Sequence, residues 1–266
     1  MHDTWLRPDW PTPSVLSVCT TRSEGHSQAP YDGLNLGDHV GDQPEAVAAN
    51  RRHLTQALGV RPIFLQQVHG WSVAKLSPTT PDGTVADACW TTEPGVACTI
   101  MVADCLPVLL TDPLGQVVAA AHAGWRGLAG VQGQGVLEAT VAAVRGELKN
   151  MACAQTLWAW LGPCIGPTRF EVGMEVRNAF VSERAEAEEA FVPHAETPEK
   201  YWADLALLAR QRLKSMGIAQ IGGNDSTPRW CTALNADLFF SHRRDRVSGR
   251  FAAAIWRQNT CTLSAK

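Results

Sequence analysis

The sequence predicts a mixed-sheet α/β or α+β protein of one domain, and three observations carry that expectation. Apolar runs of strand length follow one another along most of the chain, interleaved with a few helix-length segments. No repeat, low-complexity tract or linker interrupts the 266 residues. With 45% hydrophobic and 18% charged residues, the chain can bury a large core without dividing in two.

Pro11 and Pro13 precede a first strand over 14–20, followed by a Gly-, Asp- and Asn-rich loop over 25–42. Asp42, with Pro44 and Glu45 close behind, is a start signal for a helix through about Leu58. Apolar runs predict strands at about 62–68, 71–76, 96–102, 107–111 and 116–122. A glycine-rich stretch then leads into a helix ending near Leu148, and 157–161 resembles a buried strand. Helices at 173–185 and 202–216, a strand at 218–222 and a last strand at 250–256 complete the chain.

Composition narrows the function. A net charge of −3 gives no reason to expect a nucleic-acid backbone or an anionic membrane as partner. The N-terminus lacks a basic segment followed by an apolar stretch, and no apolar run of about 18 residues occurs, so a cytoplasmic protein is expected. Eight cysteines without a C-x-x-C pair are then free thiols unless one binds metal. Ten scattered tryptophans suit packing better than a stacking platform. A monomer or weak homodimer is expected.

Three residues stand in segments too oddly composed for ordinary packing. His69 closes Phe64-Leu65-Gln66-Gln67-Val68-His69-Gly70, Cys105 sits in Val102-Ala103-Asp104-Cys105-Leu106-Pro107, and His122 ends the run Val117-Val118-Ala119-Ala120-Ala121-His122. Each alone is more simply a rim histidine or a buried thiol. Each, however, is followed by residues that stop a strand, and strand ends are where side chains meet at a cleft. Two imidazoles and a thiolate form an open zinc set with a fourth position for water or substrate. Their separations, 36 and 17 residues, exclude a zinc finger, so convergence must come through the fold.

Beyond His122, Gly124-Trp125-Arg126-Gly127-Leu128-Ala129-Gly130 leads into a helix, placing backbone N–H groups and Arg126 beside the candidate ligand. That suits phosphate, although the glycines serve a tight turn equally well. The segment is neither a G-x-G-x-x-G fingerprint nor a Walker loop. Gly162-Pro163-Cys164-Ile165-Gly166-Pro167 forms a stiff loop that suits a pocket wall or a structural corner. Phe239-Phe240-Ser241-His242-Arg243-Arg244-Asp245 sets cations beside aromatic residues, and reads most simply as a solvated turn.

Several of these motifs in one order, Gln66-Gln67-Val68-His69-Gly70, Ala86-Asp87-Ala88, Ala103-Asp104-Cys105-Leu106-Pro107, Ala121-His122-Ala123-Gly124-Trp125-Arg126-Gly127, the 162–167 loop with Phe170-Glu171-Val172, and 239–245, resemble the YfiH family. It is also called the laccase-domain or polyphenol-oxidase-like family, and the resemblance runs from about Pro11 to Trp256. It implies a four-layer α/β/β/α sandwich and a metal, usually zinc, with copper as the other candidate, on His69, Cys105 and His122. It implies phosphorolysis of adenosine, inosine and S-methyl-5′-thioadenosine, with adenosine deamination at the same site. Purine nucleosides and phosphate are then the partners, and Asn35 and Arg51 match polar positions of the pocket. A role in correcting cell-wall precursors, proposed for bacterial relatives, stays open beside nucleoside salvage. The segment between Gly127 and Val136 is longer than the family pattern.

For the chemistry, Arg126 or Arg51 would place phosphate with the metal, and Asp104 or Glu171 would help the departing base take a proton. Two competitors come from other classes. A copper-dependent polyphenol oxidase needs about ten histidines with His-x-His pairs, and the eight here lack that spacing. A cysteine hydrolase using Cys105 and His122 needs a thiolate free of metal. Cytidine-type deaminases are excluded, since His194-Ala195-Glu196 has no P-C-x-x-C downstream. Three ligands favour catalysis over a metal-stabilised scaffold, whose zinc is normally four-coordinate.

Overall fold

The computed structural model describes residues 4–149 and 156–258. In chain order run β1 (Val15–Cys19), α1 (Pro44–Leu58), β2 (Arg61–Phe64), β3 (Val73–Lys75), β4 (Ala88–Thr91), β5 (Val96–Val102), β6 (Leu106–Thr111) and β7 (Val118–Ala123). Then follow α2 (Trp125–Ala129), α3 (Val136–Leu148), β8 (Trp158–Leu161), β9 (Glu171–Gly173), α4 (Met174–Val181), β10 (Phe191–Pro193) and β11 (Lys200–Ala203). The last elements are α5 (Leu205–Ser215), β12 (Gln220–Gly223), α6 (His242–Asp245) and β13 (Phe251–Arg257).

The strands form a four-stranded sheet, β1-β13-β5-β2, a six-stranded sheet, β12-β8-β6-β7-β4-β3, and a small antiparallel sheet, β10-β11-β9. Both larger sheets are mixed, with parallel pairs at β2/β5, β3/β4 and β12/β8 and antiparallel pairs elsewhere. Strand side chains alternate between faces, and the sequence uses both. On β13, Phe251, Ala253 and Ile255 pack with Leu109, Val118 and Ala120 of the six-stranded sheet. Ala252, Ala254 and Trp256 pack on the other face with Leu54 and Leu58 of α1. Val108, Leu110 and Ala119 face outward onto Leu137, Val141 and Val144 of α3 and Leu208 and Leu213 of α5. The order is therefore helix, sheet, sheet, helix, the four-layer sandwich that the resemblance implies. Among the described residues no helix is long and apolar enough to cross a membrane.

Several boundaries differ from expectation for identifiable reasons. Helix α1 begins at Pro44 with Gln43 at its N-cap. Asp42 is engaged instead by Ser27 and Asn35, whose side chains donate to its Oδ2 at 2.6 and 2.8 Å. The strand expected to reach Val68 ends at Phe64, so His69 lies on a loop with φ 61°. Strand β4 is too short and too buried on both faces to alternate, which hid it. Residues 200–203 pair as β11 with β9, and the helix expected from 202 starts at Leu205, where the Asp204 side chain accepts from Leu207 N. The helix expected over 173–185 stops at Val181, and a 3₁₀ turn covers Ala185–Ala190. The glycine-rich stretch holds α2 and a turn before α3 begins. The six described cysteines are free thiols, and Cys153 and Cys261 lie outside the described residues.

Candidate metal centre

Register does most of the assembly. Strands β6 and β7 pair with Leu106 opposite Ala123 and Pro107 opposite His122, which puts Cys105 and His122 at one end of the same hairpin. The His69 loop reaches them through Asp87, which is fully buried. Asp87 Oδ2 accepts from Val68 N at 3.2 Å and Gly70 N at 2.7 Å, and Oδ1 from His69 N at 2.8 Å. Oδ1 also lies 2.9 Å from His122 Nδ1. One carboxylate thus holds the left-handed turn at His69 and orients the His122 ring, leaving its Nε2 for a ligand.

One donor atom from each of His69, Cys105 and His122 lies within 4.8 Å of the others, and the two rings meet edge to face at 4.7 Å. Three donors no more than 4.8 Å apart share a point within about 2.8 Å of each, so a small inward shift of the side chains reaches the roughly 2.0–2.3 Å of zinc bonds to nitrogen and sulfur. Gly124 backs the cluster. A Cβ there would stand 3.0 Å from Cys105 Sγ and 3.2 Å from His69 Cδ2, crowding the donors. Carboxylate, imidazole and thiolate in this order fit a divalent metal.

Burial pushes the Cys105 thiol up, but His122 and His69 beside it outweigh that and bring it down to about 6. Burial works against protonated His122, and the Cys105 charge with the Asp87 hydrogen bond prevails, raising it to about 9. Burial likewise opposes ionised Asp87, yet His122 and the backbone of Gly70 hold its carboxyl below the ordinary range. Metal-free, the cluster is a thiolate beside an imidazolium.

The cluster opens on a cavity of about 440 Å³. One wall carries Arg126, Arg243 and Arg250 with the His39 and His242 rings, and an apolar wall carries Met101, Ile165 and Phe170. Arg126 is exposed and stacks on Trp125, 4.5 Å from the ring centroid. Arg250 donates to the carbonyls of Ser248 and Gly249, and its own backbone N donates to Asn35 Oδ1. Burial and the Arg250 charge lower His39, with Asp38 opposing, so its ring is neutral at pH 7.

The other residues singled out in the sequence divide sharply. Asp104 lines the cavity, but Thr232 Oγ1 donates to its Oδ1 and Arg243 N to its Oδ2, both at 2.6 Å. Glu171 lies outside the cavity lining, 3.9 Å from both His194 Nε2 and Lys200 Nζ in a neighbouring groove. Asn35 is fully buried and pins Gly37, Asp42 and Arg250. Arg51 binds Leu36 O and Asp38 and lies over the Phe64 ring, also outside the cavity lining.

A family described as multi-copper polyphenol oxidoreductase laccase matches residues 16–258. The chain belongs to this family, the YfiH family. It is 51% identical to a purine nucleoside phosphorylase of Pseudomonas aeruginosa over 256 residues, covering 96% of this chain and 99% of that protein. It is 47% identical to the purine nucleoside phosphorylase YfiH of Escherichia coli, covering 94% and 97%. A Neisseria meningitidis protein of the DUF152 family superposes with a TM-score of 0.85 at 43% identity, over 97% of this chain and all of that one. The YfiH protein of Bacillus licheniformis superposes with a TM-score of 0.80 at 27% identity, over 97% and 100%.

Within this YfiH-family chain, sequence reasoning missed the part played by Asp87, and it took the 239–245 segment for a solvated turn although Arg243 and His242 face the cavity. Asp87 carried a signal. An acidic residue between alanines, in a run otherwise fit for a sheet core, must have buried partners. Arg250 and His39 had none, because loop packing alone brings them to the cavity.

Proposed function

We propose that this YfiH-family chain is a zinc-dependent purine nucleoside phosphorylase acting on adenosine, inosine and S-methyl-5′-thioadenosine, with adenosine deaminase activity at the same site. The observation that carries this is the His69–Cys105–His122 cluster opening on a nucleoside-sized cavity with three arginines in its wall. The names of the relatives from Pseudomonas aeruginosa and Escherichia coli support it. Those three side chains would hold the ion, which when bound lowers the pKa of coordinated water toward about 7 or polarises a phosphate oxygen.

The protein's own groups then divide the work. Arg126, Arg243 and Arg250 bind and orient phosphate toward the ribose C1′. Phe170, Ile165 and Met101 take the flat purine and exclude water behind it. Asp104, with both oxygens engaged, positions Arg243, and Glu171 is too far removed to protonate the base. Of the cavity's titratable groups, His242 is left to pass a proton to the departing purine. Deamination differs only in that water attacks C6 of adenine and ammonia departs.

The test is adenosine supplied with and without phosphate. Adenine with ribose 1-phosphate identifies phosphorolysis, inosine identifies deamination, and neither product refutes the proposal. Cys105→Ala removes metal and both activities, and full phosphorolysis by the metal-free variant overturns the role given to the cluster. A cysteine hydrolase is favoured by one observation, the Cys105 thiol at about 6 beside His122. Stoichiometric metal on purification engages that thiolate and excludes it. One metal-capable cluster among the described residues does not make a multicopper centre.

A further inference from the structure

Beside the metal cavity lies a groove of about 620 Å³, and Arg243 lines both. The chain as a whole is acidic at −3, yet five cationic residues line this groove, Arg169, Lys200, Arg243, Arg244 and Arg246, against one carboxylate, Glu171. Glu171 is already paired, with Lys200 Nζ at 3.9 Å. Arg244 is committed too, its guanidinium held by Asp245 at 2.7 Å and by Thr232 O at 2.8 Å. Arg243 is fixed at both ends, its backbone N on Asp104 and its Nη1 on Glu171 O at 3.0 Å.

Arg169 and Arg246 differ. Both are exposed, and no described residue offers either guanidinium a hydrogen bond or an ion pair. Arg246 also takes φ 63°, a conformation that side chains other than glycine and asparagine seldom adopt. Two forks without a protein partner and one anchored fork line a common groove, where like charges favour an anion between them, and planar guanidinium pairs match phosphate oxygens bidentately.

We infer that this groove is a diphosphate-binding site, and that its ligand is a nucleotide whose phosphates lie on Arg169, Arg243 and Arg246 while its nucleoside enters the metal cavity. The site shares only Arg243 with the position of the phosphate that attacks C1′, which Arg126 and Arg250 also hold. What fills the cavity rests on the nucleoside proposal above; the groove itself does not.

Calorimetry on the metal-loaded full chain tests both halves, first with inorganic pyrophosphate, then with ADP against adenosine. Wild type binds pyrophosphate, and the double variant Arg169→Ala/Arg246→Ala binds it about tenfold more weakly or worse. ADP binds wild type more tightly than adenosine does, and the double variant erases that difference while its adenosine phosphorolysis is unchanged, because neither residue lines the cavity. Undetectable pyrophosphate binding, or equal binding by the double variant, overturns the groove. ADP no tighter than adenosine overturns the joined ligand. Pyrophosphate binding lost in the double variant, with adenosine binding nowhere, upholds the groove and removes the nucleoside proposal instead.

Discussion

Replacing Asp87 by Asn tests how far one buried carboxylate governs the centre. The substitution keeps shape and removes the charge, but an amide has one acceptor oxygen where the carboxylate has two. Asp87 now serves four donors, Val68 N, His69 N, Gly70 N and His122 Nδ1, split between its oxygens. Whichever way the amide turns, its NH₂ group faces two of them. If each stranded donor costs about 1–3 kcal/mol, the fold loses roughly 2–6 kcal/mol. Metal affinity falls as well, by about 10–100-fold, as for other partners of ligating histidines. Denaturant unfolding of the metal-free protein measures the first quantity, and competition with a chromogenic zinc chelator the second. Because the carboxyl is held below its ordinary value, the wild-type advantage is full at neutral pH and vanishes as pH falls below 3.8 through the folded-state value. Asp87→Asn with wild-type stability and metal affinity within twofold of wild type would refute this account.

Other expectations follow from the same geometry. In metal-free protein, iodoacetamide should alkylate the Cys105 peptide with a midpoint near pH 6, as mass spectrometry reads it, and added zinc should protect it; a midpoint near 9 contradicts the lowered thiol. In the same protein the Cys105 contribution to stability, full above pH 9, is lost as pH falls to about 6, whereas that of His122, full below pH 6.5, is lost as pH rises to about 9; the two slopes oppose, so denaturant unfolding should change little between those values, and a steep change there contradicts the coupling. Gly124→Ala, whose backbone needs no left-handed φ, should leave the fold intact and weaken metal binding by about tenfold or more through the contact with Cys105 Sγ; unchanged affinity refutes the crowding. Asn35→Ala should cost about 2–4 kcal/mol of stability, measured by denaturant unfolding, because four hydrogen bonds of a fully buried amide disappear. Glu171→Gln should leave phosphorolysis unchanged, whereas Arg126→Ala should raise the KM for phosphate.

Periodicity made the long elements legible. Strand β5 was readable to the residue, because seven consecutive apolar or small residues leave no alternative in a sheet buried on both faces. The small sheet was not, since strands of three or four residues carry too little pattern, and only Asp204 separates β11 from α5. The convergence of His69, Cys105 and His122 was legible from residue type and from strand-ending neighbours, which physical chemistry ties to clefts. The wider pocket was less legible. Asn35, Arg51 and Glu171 bond loop and groove neighbours outside the cavity lining, and nothing local in sequence separates a side chain aimed at a cavity from one turned aside.

The β6–β7 hairpin and the Asp87 tether have a consequence for how the ion arrives. The three donors are distant in sequence and meet only after β6 has paired with β7 and the His69 loop has closed on Asp87, next to β4. The unfolded chain therefore brings no two of these donors close together, and an ion cannot template its collapse as it does for finger-like modules. Loading is a late event on an already folded scaffold, so which metal a purified sample carries reflects what the cell had to offer as much as what the pocket prefers.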